Sequence, residues 1–557
     1  MSMKRRIGLS VWMALTAPWA LAAPMTLELS HKDGDTISGD VQFTARVRSE
    51  ALVTSVEFYI GDNLRETDQS TPYQFNIDTL TEDDGPFSVT FAAYNSEGGS
   101  VKKTLRLKID NGLNKGVGYH VGIANEALQE SQWAKAILHG RTALRIDGND
   151  NSARLVLARA NLGAGVLDLA QKFAEDIVAS DPANVPARQL LSGINLRRAF
   201  LALERGTSDN ATLLGTLTEA FRSAATNQNA ANAARIDAMG EPTDETLPAY
   251  ADALLDIRRF NDAARRLAPV FAKDPSKIGH GNRLIYAYLR SARLKDAAEA
   301  IDLARRSNTM DAETYALAAC FHAYIGETEK ASAAMKEALL LDPSRNTVVT
   351  AQIFTSLRAG NLNGMGQVLQ QYRQSNGDPT LTGYYQSVLL QQARRPDEAR
   401  IAFENAILTD AASYELLTER AIQAYTYSFN ESLSSEQVDR QRGIAKALLE
   451  AAIEARPDSF EALTALAMLA MQDGNKDDTM KWARAAVGAA PEYAGAQYAL
   501  AGALQMMQRP SEARKAMEAA GAIDRTLVGV PAPGSAVDLL RYLYSKGRTP
   551  WLAAPGR

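Results

Sequence analysis

Cysteine is almost absent. Cys320 is the single one among 557 residues, so no internal disulfide can form and packing alone must hold the fold. Set in Leu317-Ala318-Ala319-Cys320-Phe321, it reads as a small apolar side chain on a helix rather than a reactive thiol. Histidine is scarce too. His31, His120, His139, His280 and His322 are the only ones, and none stands in a His-Glu-x-x-His pair or another metal-ligand spacing. Gly-x-Ser-x-Gly, Gly-x-Gly-x-x-Gly and Walker loops are missing, so the sequence predicts no enzyme, no metal and no cofactor. There is no basic excess: the formal charge is −5, which argues against a nucleic-acid partner. Beyond the first two dozen residues no apolar run approaches the ~20 residues of a spanning helix.

That first stretch has its own pattern. Lys4, Arg5 and Arg6 are followed by the mostly apolar Ile7 to Leu21 and by the small-x-small triplet Ala20-Leu21-Ala22. This predicts a secretory signal peptide over 1–22, cut after Ala22, and an exported chain that is periplasmic, secreted or at the cell surface. An uncleaved anchor is disfavoured by Pro18, and no cysteine stands near the cut for a lipid. Losing the three cations takes the mature charge from −5 to −8.

Alanine is abundant and recurs on a fixed period. Ala136 and Ala170, then Ala263, Ala297 and Ala331, then Ala445 and Ala513 lie on a spacing of 34 residues or its double, with Met365, Ala399 and Thr479 filling the same register. A second series follows seven residues behind, in Ala143, Ala304, Ala338, Ala406, Ala452, Ala486 and Ala520. Pro182, Pro275, Pro343, Pro457 and Pro491 mark the ends. In Ala312 to Arg345, Tyr315, Ala318, Ala319 and His322 share one helical face, Gly326 breaks it, Ala331, Met335, Ala338 and Leu339 form a second stripe, and Asp342-Pro343 stops it. Each unit is therefore helix, turn, helix, able to bury its stripes only by stacking. The register is lost between Asn184 and Gly240, predicting an irregular, partly flexible insertion over 204–243, and Ser428 to Gln441 reads as an insertion of about 12 residues in one turn.

The front is different. Met25 to Leu29, Val41 to Val47, Val53 to Ile60, Phe87 to Ala93 and Val101 to Ile109 alternate apolar and polar residues, with turn clusters such as Gly61-Asp62-Asn63 and Asp83-Asp84-Gly85-Pro86 between them. Short strands at this density predict a β-sandwich over 25–111. Asp78, Glu82, Asp83 and Asp84 lack EF-hand spacing and read as a solvated acidic turn rather than a calcium site.

Two resemblances follow. Val56-Glu57-Phe58-Tyr59-Ile60-Gly61-Asp62, Thr71-Pro72-Tyr73-Gln74-Phe75 and Asp78-Thr79 resemble the bacterial Ig-like domains, with Ile77 where that family often has tryptophan. The length, paired small residues and terminal proline of the repeats resemble the tetratricopeptide (TPR) repeat over most of Gly116 to Arg525. Together they imply a multidomain chain: an Ig-like β-sandwich, then an all-α TPR superhelix, an α-solenoid, with first units over 117–203, the main array over 244–526, and a capping helix with a mobile tail over 527–557. Such arrays imply protein or peptide binding on the face lined by each unit's first helix. The residues just off the packing stripe there are Asn282, Tyr286, Arg290, Phe354, Arg358, Tyr384, Gln391, Gln392, Met468 and Tyr498. Asp252, Ala316 and Cys320 stand where the family's carboxylate clamp would need Lys and Asn. The resulting expectation is an exported, non-catalytic scaffold or adaptor binding a protein or peptide partner, with self-association open. The alternatives are a surface adhesin or matrix component acting through the Ig-like domain, and an accessory in polysaccharide or envelope assembly. A two-carboxylate hydrolase fits poorly, because an open alanine-rich stack offers no closed pocket.

Overall fold

The computed structural model describes residues 25–205, 209–410 and 413–556. The expected signal peptide and the Thr207-Ser208 part of the expected insertion lie outside them. The chain divides into two compact units, one ending at Gly165 and one beginning at Val166.

In the first unit the alternating segments become β1 (Thr26–Leu29), β2 (Thr36–Ile37), β3 (Asp40–Arg48), β4 (Val53–Ile60), β5 (Asn63–Asp68), β6 (Tyr73–Asp78), β7 (Gly85–Asn95) and β8 (Ser100–Ile109). They form two sheets, ordered β1-β3-β6 and β2-β8-β7-β4-β5; β2 pairs parallel to β8 and every other pairing is antiparallel. The period-two residues meet between the sheets. Phe43, Phe58, Phe75 and Phe91 are buried with ring centroids 5.1–5.9 Å apart, and Ile77 is buried beside them.

Among the described residues three α-helices follow in this unit: α1 (Val117–Gln129), α2 (Trp133–Ile146) and α3 (Asn151–Gly163). The acidic turn faces α2. Arg141 pairs with Asp40 at 2.9 Å and with Asp78, and Arg145 reaches Asp83 at 3.4 Å. Asp84 accepts the backbone N–H groups of Asn111 (2.8 Å) and Leu113 (3.0 Å). Gly39 approaches Leu138 of α2 so closely that an added Cβ would lie 2.6 Å from its side chain. At the joint, His120 donates from Nε2 to the Gly112 carbonyl (2.9 Å), and its Nδ1 lies 3.0 Å from His139 Nδ1. Burial and the neighbouring His120 hold the His139 pKa below its ordinary value.

The second unit is helical. It begins with α4 (Leu167–Ser180), α5 (Val185–Arg205) and α6 (Asn210–Met239). Five hairpins follow: α7 (Leu247–Asp256) with α8 (Phe260–Lys273), α9 (Ile278–Arg290) with α10 (Leu294–Arg306), α11 (Ala312–Tyr324) with α12 (Thr328–Leu341), α13 (Asn346–Arg358) with α14 (Leu362–Gln374), and α15 (Pro379–Gln392) with α16 (Pro396–Thr409). Then come α17 (Tyr414–Tyr427) with α18 (Ser435–Ala455), α19 (Phe460–Gln472) with α20 (Lys476–Ala489), α21 (Ala494–Met506) with α22 (Pro510–Ile523), and a lone α23 (Ala536–Ser545).

The register seen in the sequence has a geometric meaning. Ala263, Ala297, Ala331, Met365, Ala399, Thr479 and Ala513 are each the fourth residue of their unit's second helix, and each is buried at the crossing with the first. The turn before it needs one residue at positive φ. Gly326, Gly360 and Gly474 supply it at 69–83°, whereas Arg258, Ala292, Arg394 and Gln508 adopt 51–62° at the equivalent place. Helix starts are capped where the chain allows: Asp311 with Thr314 and Ser434 with Gln437 form capping boxes.

Two expectations need correction. The region expected to be irregular over 204–243 is largely the 30-residue α6, which packs along α5 and along α18. Its period is faint because both partners claim a face: Ser192 bonds the Ala224 carbonyl (2.8 Å), while Asn229 bonds that of Glu454 (2.9 Å). The insertion near 428–441 is likewise not only turn. Ala445 is the eleventh residue of α18 rather than the fourth, so seven residues extend that helix backward. The added turns lie on α6, where Arg440 donates to Asn210 (2.6 Å), Asn210 to the Glu436 carbonyl (3.0 Å), and Gly443 admits Leu214.

Distant hairpins of this unit also meet. Arg258 bonds Asp410 (2.6 Å) and Glu415 (2.8 Å), the Lys295 N–H bonds Glu492 (2.9 Å), and Arg525 pairs with Glu327 (2.6 Å). The array therefore closes around its own first-helix face. No described helix is long and apolar enough to cross a membrane.

Candidate functional site

The first helices α9, α11, α13, α15, α17, α19 and α21 line one wall, and that wall is occupied. α23, expected as an end cap, packs instead on α17, α19 and α21, with Tyr542 beside Tyr498 (ring centroids 5.6 Å). The following residues, expected to be mobile, run along the wall, with Trp551 and Leu552 buried. The reason is compositional: Trp551-Leu552-Ala553-Ala554 is apolar enough to prefer a groove to water.

The wall holds this segment chiefly by its carbonyls. Tyr493 donates to Gly547 O (2.8 Å), Tyr385 to Trp551 O (2.5 Å), Tyr286 to Leu552 O (3.0 Å) and Arg290 to Pro550 O (3.3 Å). Thr347 lies 3.2 Å from Ala553 O, Thr350 accepts the Ala553 N–H (3.0 Å), and Glu313 accepts that of Gly556 (2.9 Å). At the entry Arg358 donates to Lys546 O, and Lys546 Nζ returns a bond to Arg358 O at 3.0 Å.

Three side chains are read individually. Arg548 enters a buried pocket and pairs with Glu419 (Nε–Oε1 2.9 Å, Nη2–Oε2 3.0 Å). Thr549 donates to Glu461 at 2.6 Å. Trp551 lies 4.8 Å from the Tyr384 ring, with the Arg258 and Arg290 guanidiniums 5.6 and 5.5 Å from its own. A cavity of about 30 Å³ remains between segment and wall, room for roughly one water.

The electrostatics are those of a dry site. Arg258 and Arg290 share Glu415, all three are buried, and Arg258 also pairs with Asp410, so these charges are compensated by pairing rather than by water. Burial pushes the Glu461 carboxyl up to about 7, against the attraction of Arg290. Its second oxygen is buried without a hydrogen-bond partner. Cys320 is buried in the same wall, and desolvation pushes its thiol well above its ordinary value, so no thiolate is available. No cluster of metal-ligating side chains occurs among the described residues.

Of the residues singled out by sequence, Tyr286, Arg290, Arg358, Tyr384 and Gln391 meet the C-terminal segment; the Gln391 carbonyl accepts from Tyr544 at 3.1 Å. Tyr498 meets α23. Asn282 is turned to Asp311 (3.0 Å) and Thr314 (2.7 Å), and Phe354 and Met468 are buried in the helical core. Asp252 is paired with Arg283 at 2.7 Å. Sequence reasoning missed Glu313, Thr347, Glu415 and Glu461. A signal was present: each is the second residue of a first helix, so together they form one register row facing the segment. A larger open pocket, about 630 Å³, lies between α12 and α13, lined by Met335 and Leu339 together with Lys336, Gln352, Arg358 and Lys546.

Residues 29–118 match the bacterial Ig domain family. Among solved structures the chain is similar to the APC/C hetero-tetramer Cut9–Hcn1, at 13% identity over 76% of this chain and 96% of that one, with a TM-score of 0.38. It is similar to yeast Tom70 at 13% identity over 76% and 95%, TM-score 0.31. The fibronectin(III)-like modules of Clostridium thermocellum CbhA share 26% identity over 15% of this chain and 94% of theirs, TM-score 0.14. At these TM-scores the likenesses add nothing to the fold described above. No curated protein matches the chain. The chain thus joins a bacterial Ig-like β-sandwich to a solenoid of tetratricopeptide-type hairpins.

Proposed function

We propose that this chain is an exported, non-catalytic scaffold that holds an extended segment of a protein partner against the first-helix wall of its second unit. One observation carries this: the wall is furnished with hydroxyls and guanidiniums that receive successive main-chain carbonyls, which is how an extended peptide is bound irrespective of most of its sequence. The Ig-like module supports a location in the periplasm or at the cell surface. In the adhesin alternative the Ig-like sandwich makes the contact and the helices are a spacer; the edge strand β5, exposed from Asn63 to Thr67, is its available surface.

Photo-crosslinking in cells tests the two. A crosslinker at the half-buried Gln392, the last residue of the first helix α15, is expected to capture a discrete protein, while one at the exposed Glu518 of α22 is not. Capture only from Thr67 on β5 would transfer the function to the sandwich.

A further inference from the structure

We propose that residues 546–556 are a displaceable, built-in competitor for this groove, and that the ligand replacing them is an extended peptide carrying an arginine and, three residues later, a large aromatic residue. The inference rests on the reading of the wall as a peptide groove and adds both its regulation and its recognition rule.

The contacts divide into two kinds. Bonds to the carbonyls of Gly547, Pro550, Trp551, Leu552 and Ala553 are available to any extended chain. The pockets for Arg548 and Trp551 are not. Among the described residues Glu419 has no cationic partner but Arg548, and it is buried. Any chain that leaves this pocket without a cation strands a buried carboxylate, which is strongly unfavourable. The aromatic slot is equally selective, since two guanidiniums and the Tyr384 ring converge on Trp551. The spacing from Arg548 to Trp551 therefore becomes the spacing required of a ligand.

Displacement exchanges side-chain and carbonyl contacts that an incoming peptide of the same pattern restores. The segment after α23 contributes no helix and no strand, so its departure breaks no secondary structure. Gly547 marks the hinge: a Cβ there would stand 2.8 Å from the Leu543 Cα, so only glycine lets the chain turn off α23 at this point. What leaves is a short cationic-aromatic strip, and what remains is a groove with Glu419 and Glu461 unmatched.

The test uses a fluorescent peptide of sequence Lys-Gly-Arg-Thr-Pro-Trp-Leu-Ala-Ala-Pro-Gly, corresponding to 546–556, with the full chain and with a chain ending at Ser545. The shortened chain is expected to bind at least about 100-fold more tightly than the full chain, the factor by which a segment seated 99% of the time weakens a competitor. Replacing the peptide's arginine by glutamate or its tryptophan by alanine is expected to weaken binding by about 30-fold or more, as for an interfacial anchor. Equal binding of a scrambled peptide overturns the recognition rule while leaving the groove intact. A folded shortened chain that binds no peptide overturns the groove reading as well. Hydrogen exchange on the full chain decides the matter independently of whether the shortened chain folds. The amides of Ala553 and Gly556 are expected to exchange through local opening, far faster than those of α13. Exchange only with global unfolding would make the segment a fixed part of the core and end the proposal.

Discussion

Replacing Glu461 by glutamine should make the protein more stable above neutrality and change it little in acid. Glu461 is buried at the start of α19, accepts from Thr549, and leaves one oxygen without a partner. Desolvation raises its pKa from 4.5 to about 7, with Arg290 opposing and Glu415 adding to the shift. The folded state therefore keeps the proton between these two values while the unfolded state has lost it. Its contribution is fully favourable below pH 4.5 and is lost as the pH rises through about 7. At 1.36 kcal/mol per tenfold change in proton affinity, the loss amounts to about 3 kcal/mol. Glutamine preserves an oxygen for the Thr549 hydroxyl and cannot ionise. Urea unfolding of both proteins from pH 4.5 to 8.5 should give curves that converge at the acid end and separate by about 3 kcal/mol above pH 7. Histidines titrating in the same range are common to both proteins and cancel in the difference. Parallel curves across the whole range would refute the assignment of a desolvated carboxyl to Glu461.

Three further outcomes are expected. Gln508→Gly, at an exposed turn residue with φ of 57°, should raise stability by about 0.5–1 kcal/mol in thermal or urea unfolding, and Gly474→Ala at the equivalent turn should lower it by about 1–2 kcal/mol. Ala399→Leu overpacks a fully buried helix crossing and should cost about 1–3 kcal/mol, measured the same way. Burial lowers the pKa of His139, His280 and His322, so each adds stability present above about pH 6.5 and lost as the pH falls through its folded value; NMR titration of the His139 ring should give a midpoint below 6.5.

The hairpins and the sandwich were legible because each rests on a period: alternate residues for strands, and 34 for the crossings where Ala297, Ala331 and Ala399 sit. The site was only half legible. Tyr286, Arg290 and Tyr384 stand out as large side chains beside an alanine stripe, whereas Glu415 and Glu461 look like ordinary first-turn acids until the occupant of the wall is known. What could not be read was what answers a face of a helix from far along the chain. α6 shows no single stripe because α5 and α18 share it. Residues after Ser545 look like a tail because their partners lie on helices up to 266 positions away.

The meeting of α6 with the backward extension of α18 bears on how the gene could have changed. Two departures from a regular period, more than 200 positions apart, complete one contact through Asn210, Glu436 and Arg440. Trimming the extra turns of α18 strips the flank of α6, and shortening α6 removes Asn210, which accepts from Arg440 and donates to the Glu436 carbonyl. Relatives of this chain should therefore carry both irregularities or neither, and a regular array lacking one of them would be a worse protein than an array lacking both.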